Sequence, residues 1–471
     1  MSELWQLSTF ELSQLVQAGE ISPLDSVEAA LARIDAVNPA LNAFVHVCRE
    51  RAVDEARLQE RALLAGEDIG PLAGIPLGVK DLEDVAGLPT SFGSLAYRDY
   101  VAPEDSVQVS RLRAAGAIVV GKTNTPEFGY TGFTKNRVFG ISRNPWALDR
   151  TPGGSSGGSA AAIAARMVPL VTASDGGGSI RIPACFVGAF GLKPTFGRIP
   201  LGPEPHRMLR WVDTVHQGPL TRSVRDAALF LDVAAGYHPA DPASLPAMAG
   251  SYVDCLEEPL PRRCRIAFSP DLGYARVDRE VRREVLAAVE VFARLGYQVE
   301  EISTVFPDVG RGWAYASGAE VYAELAREVA GKEHELGKGF WSGTVAAAHL
   351  TALETGDIQR ERFALNEVLR RLFDRYDLLL TPTLPTEAFA AGGPLPSIID
   401  GQPVESPLHA VAFTYPFNFS GHPAASVRAG FTDHGLPVGL QIVAQRHRDD
   451  LVLRAAAGYD GERPMDRWPD L

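Results

Sequence analysis

Three side chains of the 471-residue chain could do covalent chemistry together: Lys80, Ser155 and Ser179. Ser155 sits in Gly153-Gly-Ser155-Ser156-Gly-Gly158, and Ser179 in Asp175-Gly-Gly-Gly-Ser179-Ile-Arg181. Glycine this dense permits left-handed backbone and close approach of another group to the main chain. Serines set among such glycines can be held open with backbone N–H groups around them, which is what a nucleophile and an oxyanion site need. Lys80 closes the apolar run Gly74-Ile-Pro-Leu-Gly-Val-Lys80-Asp81. Burial at a strand end disfavours the ammonium and lowers its pKa, and a neutral lysine can serve as general base to a serine without histidine. Taken alone, the simpler reading of Lys80 is an ion pair with Asp81.

The elements that must hold these groups follow from local pattern. Gly158 to Met167 is almost all alanine, so the first glycine–serine knot lies at a helix N-terminus. Val168 to Ser174 reads as a buried strand, with the second knot as the turn after it. Upstream, Ser8 to Gly19 and Pro23 to Val37 read as amphipathic helices, and Ala43 to Leu64 as continuing helix. Helices are expected over Ser106 to Ala115, Arg222 to Ala235, Asp278 to Leu295 and Leu451 to Tyr459. Strands are expected over Ala117 to Val120, Arg265 to Ser269 and Tyr376 to Thr381, with Ala424 to Val427 and Val438 to Ala444 as a hairpin or adjacent pair. Strands alternating with helices predict an α/β fold, a mostly parallel or mixed sheet covered on both faces.

Composition narrows the function classes. A formal net charge of -13 argues against a nucleic-acid surface. With 46% apolar and 22% charged residues the chain is an ordinary globular composition, and no stretch approaches the roughly 20 apolar residues of a membrane span. The N-terminal stretch, Met1 to Glu20, carries early acids and no basic region, so a signal peptide is not expected and a cytoplasmic protein is. Cys48, Cys185, Cys255 and Cys264 have no metal-ligand spacing and are expected as reduced thiols.

Two short motifs offer other readings. Gly116-Ala-Ile-Val-Val-Gly121-Lys122-Thr123 matches a phosphate-binding loop, but its variable positions are strand-like and Asn124-Thr125-Pro126 follows where a helix is required. Gly153-Gly-Ser155-Ser-Gly157 matches a nucleophile elbow, but Asp149-Arg150-Thr151-Pro152 is a poor strand to precede one. Among ten histidines, His216 and His422 lie beside glycine or proline and read better as loop residues, or as supports behind a site, than as triad members.

The ordered set of Lys80-Asp81 and the two knots resembles the amidase signature family of serine amidases. The resemblance extends through Gly121-Lys-Thr-Asn124, Pro126-Glu-Phe128, Asn144-Pro-Trp146, Gly191-Leu-Lys-Pro-Thr195, Gly218-Pro-Leu and Gly435-Leu-Pro-Val-Gly-Leu-Gln-Ile-Val443. It covers nearly the whole chain and is weakest from about Ser303 to Arg375. It implies one α/β domain with a twisted mixed sheet between helices: residues 1–66 as helices packed on the core, 67–471 as the core, and 303–375 as a variable pocket or lid region. By resemblance, Ser179 is the acylated nucleophile, Ser155 the bridging serine on a cis peptide bond, and Lys80 the base. The N–H groups of Gly176, Gly177, Gly178 and Ser179 form the oxyanion hole, braced by Ser156, Asp175 and Arg181. Phe128, Gly129, Tyr130, Thr131 and Phe133 line the acyl pocket. No metal or organic cofactor is implied, the partner is a small-molecule amide, and a homodimer is left open. Gly176 stands where a β-branched or hydroxyl residue is usual, and Arg428 where proline is common.

The expected activity is hydrolysis of a small, aryl or alkyl carboxamide, with anilides, esters and carbamates also compatible. The aromatics Trp313, Tyr315, Phe340 and Trp341 fit either a core or an apolar pocket. Two other functions remain open: the glutaminase-like A subunit of an aminoacyl-tRNA amidotransferase, and a catalytically silent scaffold.

Overall fold

The computed structural model describes residues 4–202 and 213–471; the first three residues of the N-terminal stretch lie outside it. Eleven strands form one sheet. In chain order they are β1 (Phe44–Val47), β2 (Pro76–Lys80), β3 (Ile118–Thr123), β4 (Leu170–Asp175), β5 (Phe190–Lys193), β6 (His216–Thr221), β7 (Arg265–Phe268), β8 (Gln298–Glu301), β9 (Leu378–Pro382), β10 (Ala424–Phe431) and β11 (Pro437–Ala444). Across the sheet they run β1-β3-β2-β4-β6-β5-β10-β11-β9-β7-β8. β2 lies parallel to β3 and β4, and β7 parallel to β8 and β9; the other pairings are antiparallel. The fold is therefore α/β with a mixed sheet, as expected.

The central strands are apolar on both sides because both faces are covered. Leu77, Val79, Val119 and Leu170 join one core with Ala227 and Phe230 of the helix Val224–Ala234. Ile118, Val120, Val171 and Ala173 join the other, with Leu31 and Ile34 of the helix Pro23–Leu41 and the alanines 160–165. The N-terminal helices are tied down by specific bonds: Thr9 Oγ1 donates to Pro169 O at 2.9 Å and Arg33 Nε to Ala165 O at 3.1 Å. Among the described residues no helix is long and apolar enough to cross a membrane.

The knots fold as expected. The first opens α1 (Gly157–Ala164) and the second follows β4 and leads into α2 (Arg181–Val187). α1 packs directly on the segment after β3: a Cβ at Gly158 would fall 2.3 Å from Asn124 N, so only glycine fits. One expectation fails. Ala43 to Leu64 is not continuous helix: Phe44–Val47 is strand β1, and the helix is Arg49–Leu64. Asn42 ends the preceding helix in a left-handed conformation, and the alternating Phe44-Val-His-Val47 then pairs with β3 at the sheet edge, where aromatic and β-branched residues pack well. The region 303–375 is helical, with α3 (Gly310–Glu328), α4 (Lys338–Ala346) and α5 (Ala352–Phe373). A short helix, α6 (Tyr415–Phe419), faces the second knot from the C-terminal half.

Candidate active site

The C-terminal ends of β2 and β4 and the start of α1 converge on Lys80. Its side chain is fully buried. Nζ lies 2.8 Å from both Ser155 Oγ and Ser156 Oγ, 3.0 Å from Ser174 Oγ and 3.4 Å from Ser174 O. Among the described residues no carboxylate forms an ion pair with it. Asp81 turns away instead and binds Ser91 and Lys122, so the neighbouring pair suggested by sequence does not form. Burial lowers the Lys80 pKa to about 7, against a weaker opposing pull from Glu83 and Asp175.

Donor and acceptor roles can be assigned around this amine. Ser156 Oγ donates to Ser174 O at 3.2 Å, which leaves its oxygen to accept from the lysine. A neutral amine has two N–H donors and one lone pair, so the Ser155 hydroxyl can donate to it. The Gly154–Ser155 peptide bond is cis. Its surroundings are tight: a Cβ at Gly154 would fall 2.7 Å from Phe133 N, and one at Gly129 would fall 3.1 Å from Ser155 Oγ.

Ser179 is half-buried, and its hydroxyl makes no hydrogen bond among the described residues. The Lys80–Ser155 link is therefore made, whereas the Ser155–Ser179 link expected beside it is open. A backbone bond from Ser156 N to Ser179 O, 3.2 Å, joins the two knots.

The second knot is braced from below. Asp175, fully buried, accepts from Arg181 Nε at 3.0 Å and Nη2 at 2.9 Å, from Asn418 Nδ2 at 2.8 Å, and from the N–H of Gly178 at 2.6 Å. The Arg181 and Asn418 contacts hold its carboxyl well below the usual carboxylate range despite the cost of burial. Arg181 also donates to Thr414 O and Gln441 Oε1. Since Gly178 spends its N–H on Asp175, it is not open to a ligand oxygen. The N–H groups of Gly176, Gly177 and Ser179 have no partner among the described residues.

The loop 128–133 divides. Phe128, in a left-handed conformation, stacks on Phe340 at 4.9 Å, and Tyr130 meets the same ring edge-on at 5.3 Å. Gly129 faces Ser155, and Thr131 Oγ1 donates to Phe133 O at 2.7 Å. The Phe133 ring instead packs edge-on against Phe389, 6.1 Å away. Of the downstream aromatics, Phe340 joins Phe128, Tyr315 lies beside Arg311, and Trp341 stacks on Tyr322. Trp341, Arg137, Leu336 and Val345 line a cavity of about 900 Å³ that none of Lys80, Ser155 or Ser179 borders. Trp313 touches the second knot itself, with Nε1 2.8 Å from Gly176 O.

Four contributors were not singled out by sequence: Ser174 as a Lys80 neighbour, and Thr414, Asn418 and Gln441 around the Asp175–Arg181 pair; Trp313 was expected only as a core or pocket aromatic, not as a contact of the glycine loop. Gln441 lies within the quoted tail motif, but nothing local marks Thr414 or Asn418. The two motif competitors also resolve. Lys122 donates into loop carbonyls of Glu83 and Pro89, and no strand leads directly into Ser155. His216 is buried, its Nδ1 2.9 Å from Thr214 O.

Comparison with known proteins decides the family. The Amidase family model matches residues 25–453. The chain belongs to the amidase family. An acylamidase of Rhodococcus erythropolis is 40% identical over 469 residues, covering 98% of this amidase and 96% of the relative. The A subunit of a glutamyl-tRNA(Gln) amidotransferase from Acidothermus cellulolyticus is 35% identical, covering 98% and 95%. The crystal structure of a bacterial aryl acylamidase of the amidase signature family superposes with a TM-score of 0.90 at 33% identity, covering 97% of this amidase and 96% of that chain. The protein is thus a hydrolase acting on carbon–nitrogen bonds of linear amides.

Proposed function

We propose that this amidase cleaves a small, aryl or alkyl carboxamide to acid and amine through an acyl-enzyme on Ser179. The observation that carries this reading is the fully buried Lys80 amine, 2.8 Å from Ser155 Oγ, with its pKa lowered to about 7. Neutral Lys80 takes the Ser155 proton, and Ser155 takes that of Ser179 as substrate closes the open link. Ser179 attacks the carbonyl carbon, and the oxyanion is received by the N–H groups of Gly176, Gly177 and Ser179, which have no partner among the described residues. The protons then return along the same path to the leaving amine, and water releases the acid by the reverse relay. Positioned acid–base groups contribute typically 10²–10⁴-fold, and one oxyanion donor roughly 10²–10³-fold. The aromatic contacts of Phe128 and Tyr130 with Phe340 support an apolar acyl pocket, consistent with an aryl or alkyl amide.

The relative from Acidothermus favours a second reading, the glutaminase-like amidotransferase subunit, which would need partner chains. A panel of anilides, aliphatic amides, esters, carbamates and glutamine, assayed on the purified single chain, separates the two. Turnover of anilides or simple amides without partners supports the proposal. Glutamine as the sole substrate, and only after addition of partner subunits, overturns it. Fluorophosphonate labelling at Ser179, read by peptide mass spectrometry, is expected in either case and excludes a silent scaffold.

A further inference from the structure

We propose that Trp313, on the variable helix α3, is a positioning residue that sets the direction of one oxyanion donor, the N–H of Gly177. The inference rests on the Ser179 acyl-enzyme reading above. In a planar trans peptide unit the C=O and the next N–H point in opposite directions. Anchoring a carbonyl therefore aims the following N–H. Each carbonyl of the glycine triplet is anchored. Gly178 O accepts from Ile182 N at 2.6 Å, Gly177 O from Thr414 Oγ1 at 2.7 Å, and Gly176 O from Trp313 Nε1 at 2.8 Å. These three bonds orient the N–H groups of Ser179, Gly178 and Gly177 in turn. Of these three the Gly178 N–H is spent on Asp175, so Gly177 and Ser179 remain as donors aimed by an anchored carbonyl.

Two of the anchors come from elements beside the sheet: Ile182 from α2 and Thr414 from the turn before α6. The third comes from the region that resembles the family least. Gly176 has ample room around it, since the nearest atom to a Cβ built there is Val215 Cγ2 at 3.5 Å. The Gly176–Gly177 peptide unit is held chiefly by Trp313, through the indole bond to Gly176 O. The indole ring also lies flat against the next residue, where a Cβ at Gly177 would fall 2.2 Å from Trp313 Cζ2. Trp313 is itself clamped: it stacks on Tyr415 with centroids 5.5 Å apart and planes 14° apart. Tyr415 Oη donates to Asp308 Oδ1 at 2.9 Å, and the same carboxylate oxygen accepts from Gly310 N at 3.0 Å where α3 begins. Helix α3 thereby tunes the rate of the chemical step.

Trp313→Phe keeps a ring against Gly177 and Tyr415 and deletes the N–H. The expected result is a kcat for a matched anilide lowered about tenfold, part of what loss of a whole donor costs, with KM changed less than about twofold. Phenylboronic acid, whose tetrahedral anion on Ser179 would occupy the same donors, should bind about tenfold more weakly. Affinity for the carboxylate product and the thermal midpoint should stay unchanged. Tyr415→Phe, which keeps the ring and loses the hydroxyl's bonds to Asp308 and Tyr274, should show a smaller kcat loss with the same unchanged KM, and carries the test if Trp313→Phe unfolds. Wild-type kcat and boronate affinity in Trp313→Phe, or a loss confined to KM, overturns the inference while Ser179 labelling of the wild type preserves the acyl-enzyme reading. A wild type that neither labels at Ser179 nor turns over any amide overturns both.

Discussion

Lys80 and Lys122 are both fully buried, on the adjacent parallel strands β2 and β3, yet they face opposite sides of the sheet. A register shift between Leu77 and Gly78 pairs Lys122 with Val79 and Lys80 with Thr123, which sends the two ammonium stems apart. On one side Lys122 meets Asp81 Oδ1 at 3.4 Å, Thr90 Oγ1 at 2.8 Å and Glu83 O at 2.7 Å. On the other, Lys80 meets three serine hydroxyls. A carboxylate and carbonyls can only accept, so they suit a charged ammonium; hydroxyls can also donate, so they suit a neutral amine. Burial alone does not make a base of a lysine. The groups around the amine decide which form is held.

The largest expected difference between the two sides is in chemistry. Lys80→Met should lower single-turnover acylation by an amide 10²–10⁴-fold, the usual worth of acid–base catalysis, and leave the thermal midpoint within a few degrees. Lys122→Met should do the reverse. Removing the cation leaves the buried Asp81 carboxylate unpaired, at a cost of roughly 3–5 kcal/mol in urea unfolding. Burial already pushes the Asp81 carboxyl up, so that cost should shrink as pH falls and the carboxyl takes a proton. Equal stability losses for the two variants would break the distinction.

A smaller effect separates the two ends of the relay. An amine leaves a tetrahedral intermediate only when protonated, whereas a phenoxide needs less help. Lys80→Ala should therefore damage hydrolysis of an anilide about 10- to 100-fold more than that of the matched phenyl ester, a fraction of the acid–base contribution. Equal losses would confine Lys80 to activating the nucleophile. Ser179→Ala should abolish both activities, since no acyl-enzyme can form.

The pH profile is the gentlest probe. The active form of Lys80 is neutral, and its pKa is lowered to about 7, so acylation should rise about tenfold per pH unit below 7 and level off above it. The same sign applies to stability: because the folded pKa lies below the unfolded value, Lys80 opposes folding most at or below pH 7, and that penalty fades as pH rises toward about 10.4. An acylation rate flat from pH 5 to 7, with chemistry limiting, would remove Lys80 as the base. Ser174→Ala should lower the rate only a few-fold, by loosening one of the bonds that hold the amine.

Most of the local structure around the candidate site is legible in local pattern. Glycine density at Gly153 to Gly158 and Gly176 to Gly178 marks backbone that other groups approach closely, and the alanine run after the first knot makes α1 whatever surrounds it. The apolar runs ending at Lys80 and Asp175 read as buried strands for the same reason. Local pattern failed where the cause was a partner. Phe44–Val47 became a strand because β3 offered an edge, and Lys80 lost Asp81 because a register shift offered that carboxylate another lysine.

By itself, then, the sequence determined the inventory of the site: two serines in glycine turns, a lysine closing a buried strand, and an acid and arginine around the second turn. Backbone freedom, helix propensity and apolar period are local properties, and they carry over into any fold that buries these runs. The tertiary structure alone decided which groups meet. Thr414, Asn418 and Gln441 reach Asp175 and Arg181 from more than 200 residues away, and Trp313 reaches Gly176 across 137. Those contacts exist because the β10–β11 pair packs on α2 and the turn into α6 faces the second knot, and no local pattern encodes a hydrogen bond between segments so far apart.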